Sequence, residues 1–141
     1  MTVKESYVQQ LIQLQINGDW PNLMAHISDD VEWMIINPVV KSTPLSGLYH
    51  GKAEYQAAVT PLFTIFEERA KFTLEHLTVA GNTAVAEMKG IAIGAKDKKD
   101  FVGFWCNIFE FEETDSGEPQ VKRIREYMDS ALVKEFVDKN L

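Results

Sequence analysis

Apolar side chains recur at close to helical spacing at Tyr7, Val8, Leu11, Ile12, Leu14 and Ile16, which predicts a first helix over residues 5–17. Asn17-Gly18 supplies its stop, because glycine tolerates the left-handed conformation that closes a helix. Asp19 is placed to cap a second helix, with Pro21 in the first turn, Leu23, Met24 and Ile27 on the buried side, and Asp29-Asp30 at its end. The period then changes. Residues 31–36 read as a strand closed by Asn37-Pro38, and a loop rich in Pro, Ser and Gly runs through His50-Gly51. Tyr55, Ala58, Val59, Leu62, Phe63 and Phe66 predict a third helix over residues 52–67, with Pro61 set to kink or split it. From Lys71 onward strands dominate: residues 72–79 and 83–93 joined by Ala80-Gly81-Asn82, then 100–112, then 121–128 after the turn at 114–119. Asp129 or Ser130 can cap a short final helix through Val137.

Helices segregated from a four-strand antiparallel meander describe an α+β fold. The expected architecture is a cone-shaped, curved, mostly antiparallel sheet wrapped by three N-terminal helices, with a short C-terminal helix, in one domain over residues 1–141. The mouth of such a cone is a usual place for a small-molecule pocket.

Composition narrows the function classes. Lys and Arg number 14 against 21 Asp and Glu, a formal charge of −7, so a nucleic-acid surface is not expected. Lys96, Lys98 and Lys99 surround Asp97 and read as a solvated hairpin turn. The first five residues lack the apolar stretch of a secretion signal, and no run of about 18 apolar residues predicts a membrane span. Cys106 is the sole cysteine, which excludes an intrachain disulfide and suits a reducing cytoplasm; its mid-strand place between aromatics predicts a buried structural thiol. His26, His50 and His76 show no metal-ligand spacing with carboxylates. With no phosphate loop, nucleophile elbow or dinucleotide fingerprint, no metal and no cofactor is called for.

Asn17-Gly18-Asp19, Asp30-Val31-Glu32-Trp33, the Gly47 to Gly51 segment and Ile124-Arg125-Glu126-Tyr127-Met128-Asp129 occur in an order and spacing that resembles the nuclear transport factor 2-like superfamily, in its SnoaL-like and ketosteroid-isomerase-like branch. The resemblance covers nearly the whole chain and implies the cone fold, which hosts many functions. Ketosteroid isomerases use a Tyr on the first helix, an Asp base after the first strand and a protonated Asp on a later strand. Those positions fall here on Leu11, Asn37 and Asn107, so the resemblance does not extend to steroid isomerisation by that mechanism. Limonene-epoxide hydrolases place a catalytic Asp where Glu126 stands, but their Arg-x-Asp pair falls on Met88-Lys89-Gly90. The small phenazine-biosynthesis proteins of this fold have an Arg-Glu-Phe-Met run similar to Arg125-Glu126-Tyr127-Met128.

Glu126 organises the chemistry. On the last strand Val121, Arg123, Arg125 and Tyr127 share one face, and Lys122, Ile124, Glu126 and Met128 the other. A carboxylate between Ile124 and Met128 is either paired or pushed toward its neutral form, which is the raw material of a general acid or base. Strand parity, anchored by the superfamily's concave face, adds Trp33, Ile35, Asn37, Ala86, Met88, Gly90, Trp105, Asn107, Phe109, Ile124 and Met128 to the pocket wall. Asn107 and Asn37 can donate to a developing oxyanion, and Trp33 and Trp105 offer flat faces to a planar ligand. His50, in the loop before the third helix, is a second proton carrier if it hangs over the mouth, and otherwise a solvated loop residue. Plainer roles compete: a salt bridge for Glu126, backbone satisfaction for Asn107, turn shaping for Asn37, and helix capping for Asp129, which has the opposite parity from Glu126.

The expectation is therefore a cofactor-independent isomerase, cyclase or hydrolase acting on a small apolar or aromatic molecule, with Glu126 as acid/base and Asn107 polarising the substrate. A carrier with the same pocket, or a protein-interaction module with a filled cone, are the rival readings. Val102, Phe104 and Ile108 on the outer sheet face predict a homodimer contact.

Overall fold

The computed structural model describes residues 1–141. Helix α1 (Glu5–Asn17) buries Val8, Leu11 and Ile12, and ends where Gly18 takes φ +69°. Asp19 then caps α2 (Trp20–Ala25) by accepting from the Asn22 N–H. The second helix is shorter than the sequence predicts: strand β1 (Ile27–Ile35) claims Ile27, and Asp29-Asp30 lie exposed within it instead of ending the helix. Pairing explains the difference, because Ile27 is in register with Val121 of the last strand and the Val121 N–H donates to the His26 carbonyl at 2.9 Å. A parallel neighbour nearly a hundred residues away outweighs local helical spacing.

The loop after β1 holds a four-residue strand, β2 (Gly47–His50), antiparallel to β1. It is too short to show a period of two in the sequence. Helix α3 (Lys52–Val59) passes at Thr60-Pro61 into a 3-10 segment ending at Ile65, so Pro61 splits the predicted helix. Strands β3 (Lys71–Ala80), β4 (Thr83–Ile93), β5 (Asp100–Glu113) and β6 (Pro119–Met128) form the expected antiparallel meander. Helix α4 (Ser130–Asn140) starts at Asp129, whose carboxylate accepts from the Leu132 N–H at 3.1 Å.

The six strands make one sheet in the order β2-β1-β6-β5-β4-β3, with β1 parallel to β6 and every other pair antiparallel. This is the α+β cone, curved and mostly antiparallel. No helix is long and apolar enough to cross a membrane. The concave face supplies Val31, Trp33, Ile35, Met88, Phe111 and Ile124 to a core shared with α1 and α2. A second cluster, including Ile65, Phe101, Phe136 and Val137, sits between the 3-10 segment, β5 and α4. Asn140 fastens α4 across that end: its buried Oδ1 accepts from the N–H groups of Lys96 and Asp97 at 3.0 and 3.1 Å. Between the two clusters, Gly90 of β4 and Gly103 of β5 are register partners, and the Trp105 indole lies over both. A Cβ at Gly90 would stand 2.5 Å from that indole.

On the convex face Arg123 bonds to Glu32 at 2.9 Å and Glu110 at 3.1 Å, and Arg125 to Glu110 at 2.7 Å. Beside this network Ile91, Ile93, Val102, Phe104 and Tyr127 are exposed. Cys106 belongs to this face and is half-buried, which corrects the fully buried thiol expected of it. The aromatic neighbour that suggested burial, Trp105, points to the opposite side of the strand.

Candidate active site

Inside the cone is a cavity of about 640 Å³, and 25 of its 31 lining residues are hydrophobic. The six others separate into two groups. Gln15, Glu67, Glu68 and Arg69 lie beside the exposed side chains of Trp20 and Phe63, at the mouth. Asn107 and Glu126 lie on the sheet floor, directly opposite one another in the β5–β6 register. Strand parity delivers Glu126 there: Ile35 is its partner on β1, and Ile124 and Met128 flank it on its own strand.

Glu126 makes no ion pair and receives one side-chain hydrogen bond within the chain, from Trp33 Nε1–H to Oε1 at 2.6 Å. Its second oxygen has no protein donor. Burial raises the acid's pKa from the usual carboxylate value to about 7, against the opposing pull of the Trp33 bond. Trp33 is itself fixed by a stacked Tyr55, with ring centroids 3.5 Å apart and planes 5° from parallel, and Tyr49 meets Tyr55 edge-on at 6.3 Å. Tyr49 is anchored in turn through its hydroxyl to the Leu45 carbonyl at 2.7 Å. Burial first, then the negative charge of Glu126, pushes the Tyr55 phenol well above its ordinary range, so Tyr55 holds its proton at any pH near neutral. Asn107 is 3 % exposed and its Oδ1 has no hydrogen-bond partner. An unpaired buried amide oxygen costs about 1–3 kcal/mol. The floor thus joins one near-neutral acid to a retained phenolic proton and an amide, all in apolar surroundings.

The SnoaL-like domain profile matches residues 8–116. The chain belongs to the SnoaL-like family. None of the curated proteins matches it by sequence. Solved structures similar to it include an NTF2-like protein of unknown function from Burkholderia pseudomallei, at 17% identity and TM-score 0.75 over 92% of this chain and 93% of that one. TerC, co-crystallized with polyporic acid, is 13% identical with TM-score 0.72, covering 93% of this chain and 95% of its own. A ketosteroid isomerase-like protein from Erwinia carotovora atroseptica is 14% identical with TM-score 0.61, over 88% and 92%. At these identities the likeness is one of fold.

The SnoaL-like profile ends before β6, the strand that carries Glu126. Of the residues the sequence nominates, Trp33, Met88, Trp105, Asn107, Phe109, Ile124, Glu126 and Met128 line one cavity. Asn37 and His50 do not, and their expected places in the site are corrected. Ile36 adopts φ +61° and turns the chain out of the sheet, so Asn37 is exposed and serves a turn: its Oδ1 accepts from the Val39 N–H at 2.9 Å, and the Ser46 hydroxyl donates to its carbonyl. His50 is exposed on β2, opposite Glu32, while the alternate residue Tyr49 faces inward. Tyr55 is the cavity side chain beside Glu126 that periodicity missed. Its helical spacing marked it as core, and nothing local shows that its ring meets an indole 22 residues away. The tyrosine hydroxyl, which a purely apolar helix face would not need, is the signal that was present.

Proposed function

We propose that this SnoaL-like protein is a cofactor-independent acid/base enzyme of the isomerase, cyclase or hydrolase type, acting on a small apolar or aromatic molecule. The observation that carries the reading is Glu126, a carboxyl on an apolar floor with one donor, no counter-ion and a pKa of about 7. Near neutral pH such a group is present in both forms, which is the condition for accepting a proton and returning it. The free Glu126 oxygen takes a proton from the substrate, and the released electron pair moves onto a conjugated carbonyl oxygen. The Tyr55 O–H and the Asn107 amide N–H are the donors available to that oxygen as its charge develops. Return of the proton to another carbon completes an isomerisation; attack of the carbanion on an internal carbonyl closes a ring. The aromatic lining suits a planar substrate, and TerC, of similar fold, was co-crystallized with polyporic acid. Cytoplasmic residence agrees with a lone, unpaired Cys106, and a homodimer through Val102, Phe104 and Tyr127 would cover the exposed outer apolar face.

A carrier without chemistry is the second reading, favoured by the exposure of Asn37 and His50, which leaves Glu126 without a second proton carrier beside it. One experiment separates the two. The probe 2-tetralone, a flat bicyclic ketone with acidic α-protons, is titrated against intrinsic tryptophan fluorescence and then followed by proton NMR in D2O. An enzyme exchanges the α-protons above the buffer rate and loses about 10²-fold of that rate in Glu126→Gln, with binding kept. Binding without accelerated exchange establishes the carrier. Failure of the wild type to bind any planar ketone removes the small-molecule reading altogether.

A further inference from the structure

The mouth of the cavity carries a cation that the floor chemistry does not use. Arg69, in the segment between the 3-10 turn and β3, lines the cavity and donates from Nη1 to the Ile16 carbonyl at 3.1 Å. Its guanidinium lies flat over Gly18, whose missing side chain makes the space: a Cβ there would stand 2.7 Å from Cζ and 2.9 Å from Nε. The exposed head group is thus placed by one carbonyl and the bare Gly18 backbone, without help from any acid, since Arg69 forms no ion pair in the chain. Of the carboxylates beside it, Glu67 is engaged by Lys98 at 3.1 Å, while Glu68 is exposed and also without a cation. A guanidinium has five N–H donors in a planar fork, and one contact to a carbonyl leaves four. Planar carboxylates match that fork in pairs, which gives orientation as well as affinity.

We propose that Arg69 makes the cone a site for apolar or aromatic carboxylic acids, bound with the carboxylate at the mouth and the reacting end toward Glu126. The proposal rests on the small-molecule reading above and adds the ligand's polarity and direction to it. The inverse orientation is disfavoured by charge, because Glu126 carries part of a negative charge near neutral pH and no cation stands near it to balance a second one. A ligand anchored at the rim leaves its neutral, conjugated end against Trp33, Tyr55 and Asn107. Anchoring of this kind raises the effective concentration of the reacting end at the base.

The test uses two probes of equal shape, 2-naphthoate and its neutral carboxamide, titrated against tryptophan fluorescence in low salt. The wild type is expected to bind the carboxylate about tenfold more tightly than the amide, with the preference shrinking at higher ionic strength. Arg69→Gln should lose that preference while holding the amide affinity, which also reports an intact cavity, and Arg69→Lys should keep part of it. Glu126→Gln should leave the preference for the carboxylate in place. Equal affinity of the wild type for both probes, or a preference that survives Arg69→Gln, overturns the proposal and leaves the small-molecule reading standing. Loss of the preference in Glu126→Gln instead puts the anion on the floor, which also overturns it. If neither probe binds the wild type, the small-molecule reading falls and this one falls with it.

Discussion

Glu110 and Glu126 sit on neighbouring strands of the same sheet, on opposite faces, and are chemically different groups. Burial pushes Glu110 upward, but hydrogen bonds and charges from Arg125 and Arg123 outweigh it and hold its carboxyl below the usual value. Burial pushes Glu126 upward too, and there a single indole N–H opposes it, so the acid ends near 7. The difference lies in the counter-charges and not in the carboxyl. β6 makes both environments at once, sending Arg123 and Arg125 to the convex side and Glu126 to the concave side. One strand, read at alternate residues, separates a structural ion network from a buried acid without a counter-charge.

The widest gap should open in rate. Neutralising the inner carboxyl by Glu126→Gln is expected to cost about 10²-fold in proton exchange, while Glu110→Gln leaves exchange within about twofold. Equal losses in the two variants would erase the distinction. Stability should divide them next, and with a definite sign. Because the folded pKa of Glu126 lies above its unfolded value, the unfolded chain releases this proton first, and folding loses stability as pH climbs from about 4.5 to about 7. Glu126→Gln should then be more stable than wild type at pH 8, by at most about 3 kcal/mol, with the advantage absent at pH 4. Urea denaturation at the two pH values reads it; an advantage independent of pH would show an ordinary carboxylate.

Trp33→Phe sharpens the contrast from the donor's side. Loss of the sole hydrogen bond to Glu126 should raise that carboxyl further and move the pH–rate inflection upward. The accompanying loss of stability, about 1–3 kcal/mol, comes from the vacated indole volume and the unpaired oxygen. An unmoved inflection would deny Trp33 its influence. The smallest effect belongs outside: Arg123→Gln, at a half-exposed ion pair, should cost about 0.2–1 kcal/mol and less in high salt. A larger, salt-insensitive loss there would mean the outer network holds the sheet together.

Much of this was legible from alternation. The strands of the meander, the stop at Gly18 and the split at Pro61 follow from local periods and turn chemistry, and the inward set from Trp105 to Met128 follows from parity once the family resemblance says which face is concave. What the sequence hid depended on distant partners. Helix α2 lost its last turn because Ile27 pairs with Val121, and β2 exists because β1 offers it an edge. Parity failed at Asn37 for a single reason, the positive φ of Ile36, a conformation that a β-branched residue seldom adopts and that no propensity anticipates. Tyr55 entered the site through a helix-to-sheet stacking contact that no spacing rule encodes.

The paired glycines of β4 and β5 act as a depth gauge for the chamber. They let a broad indole recline against the backbone, and the chamber opens above it. A single methyl group at position 90 would press that ring toward the lumen and shorten the chamber, leaving every polar group on the floor untouched. The depth of the chamber and the polar groups of its floor are therefore set by separate residues.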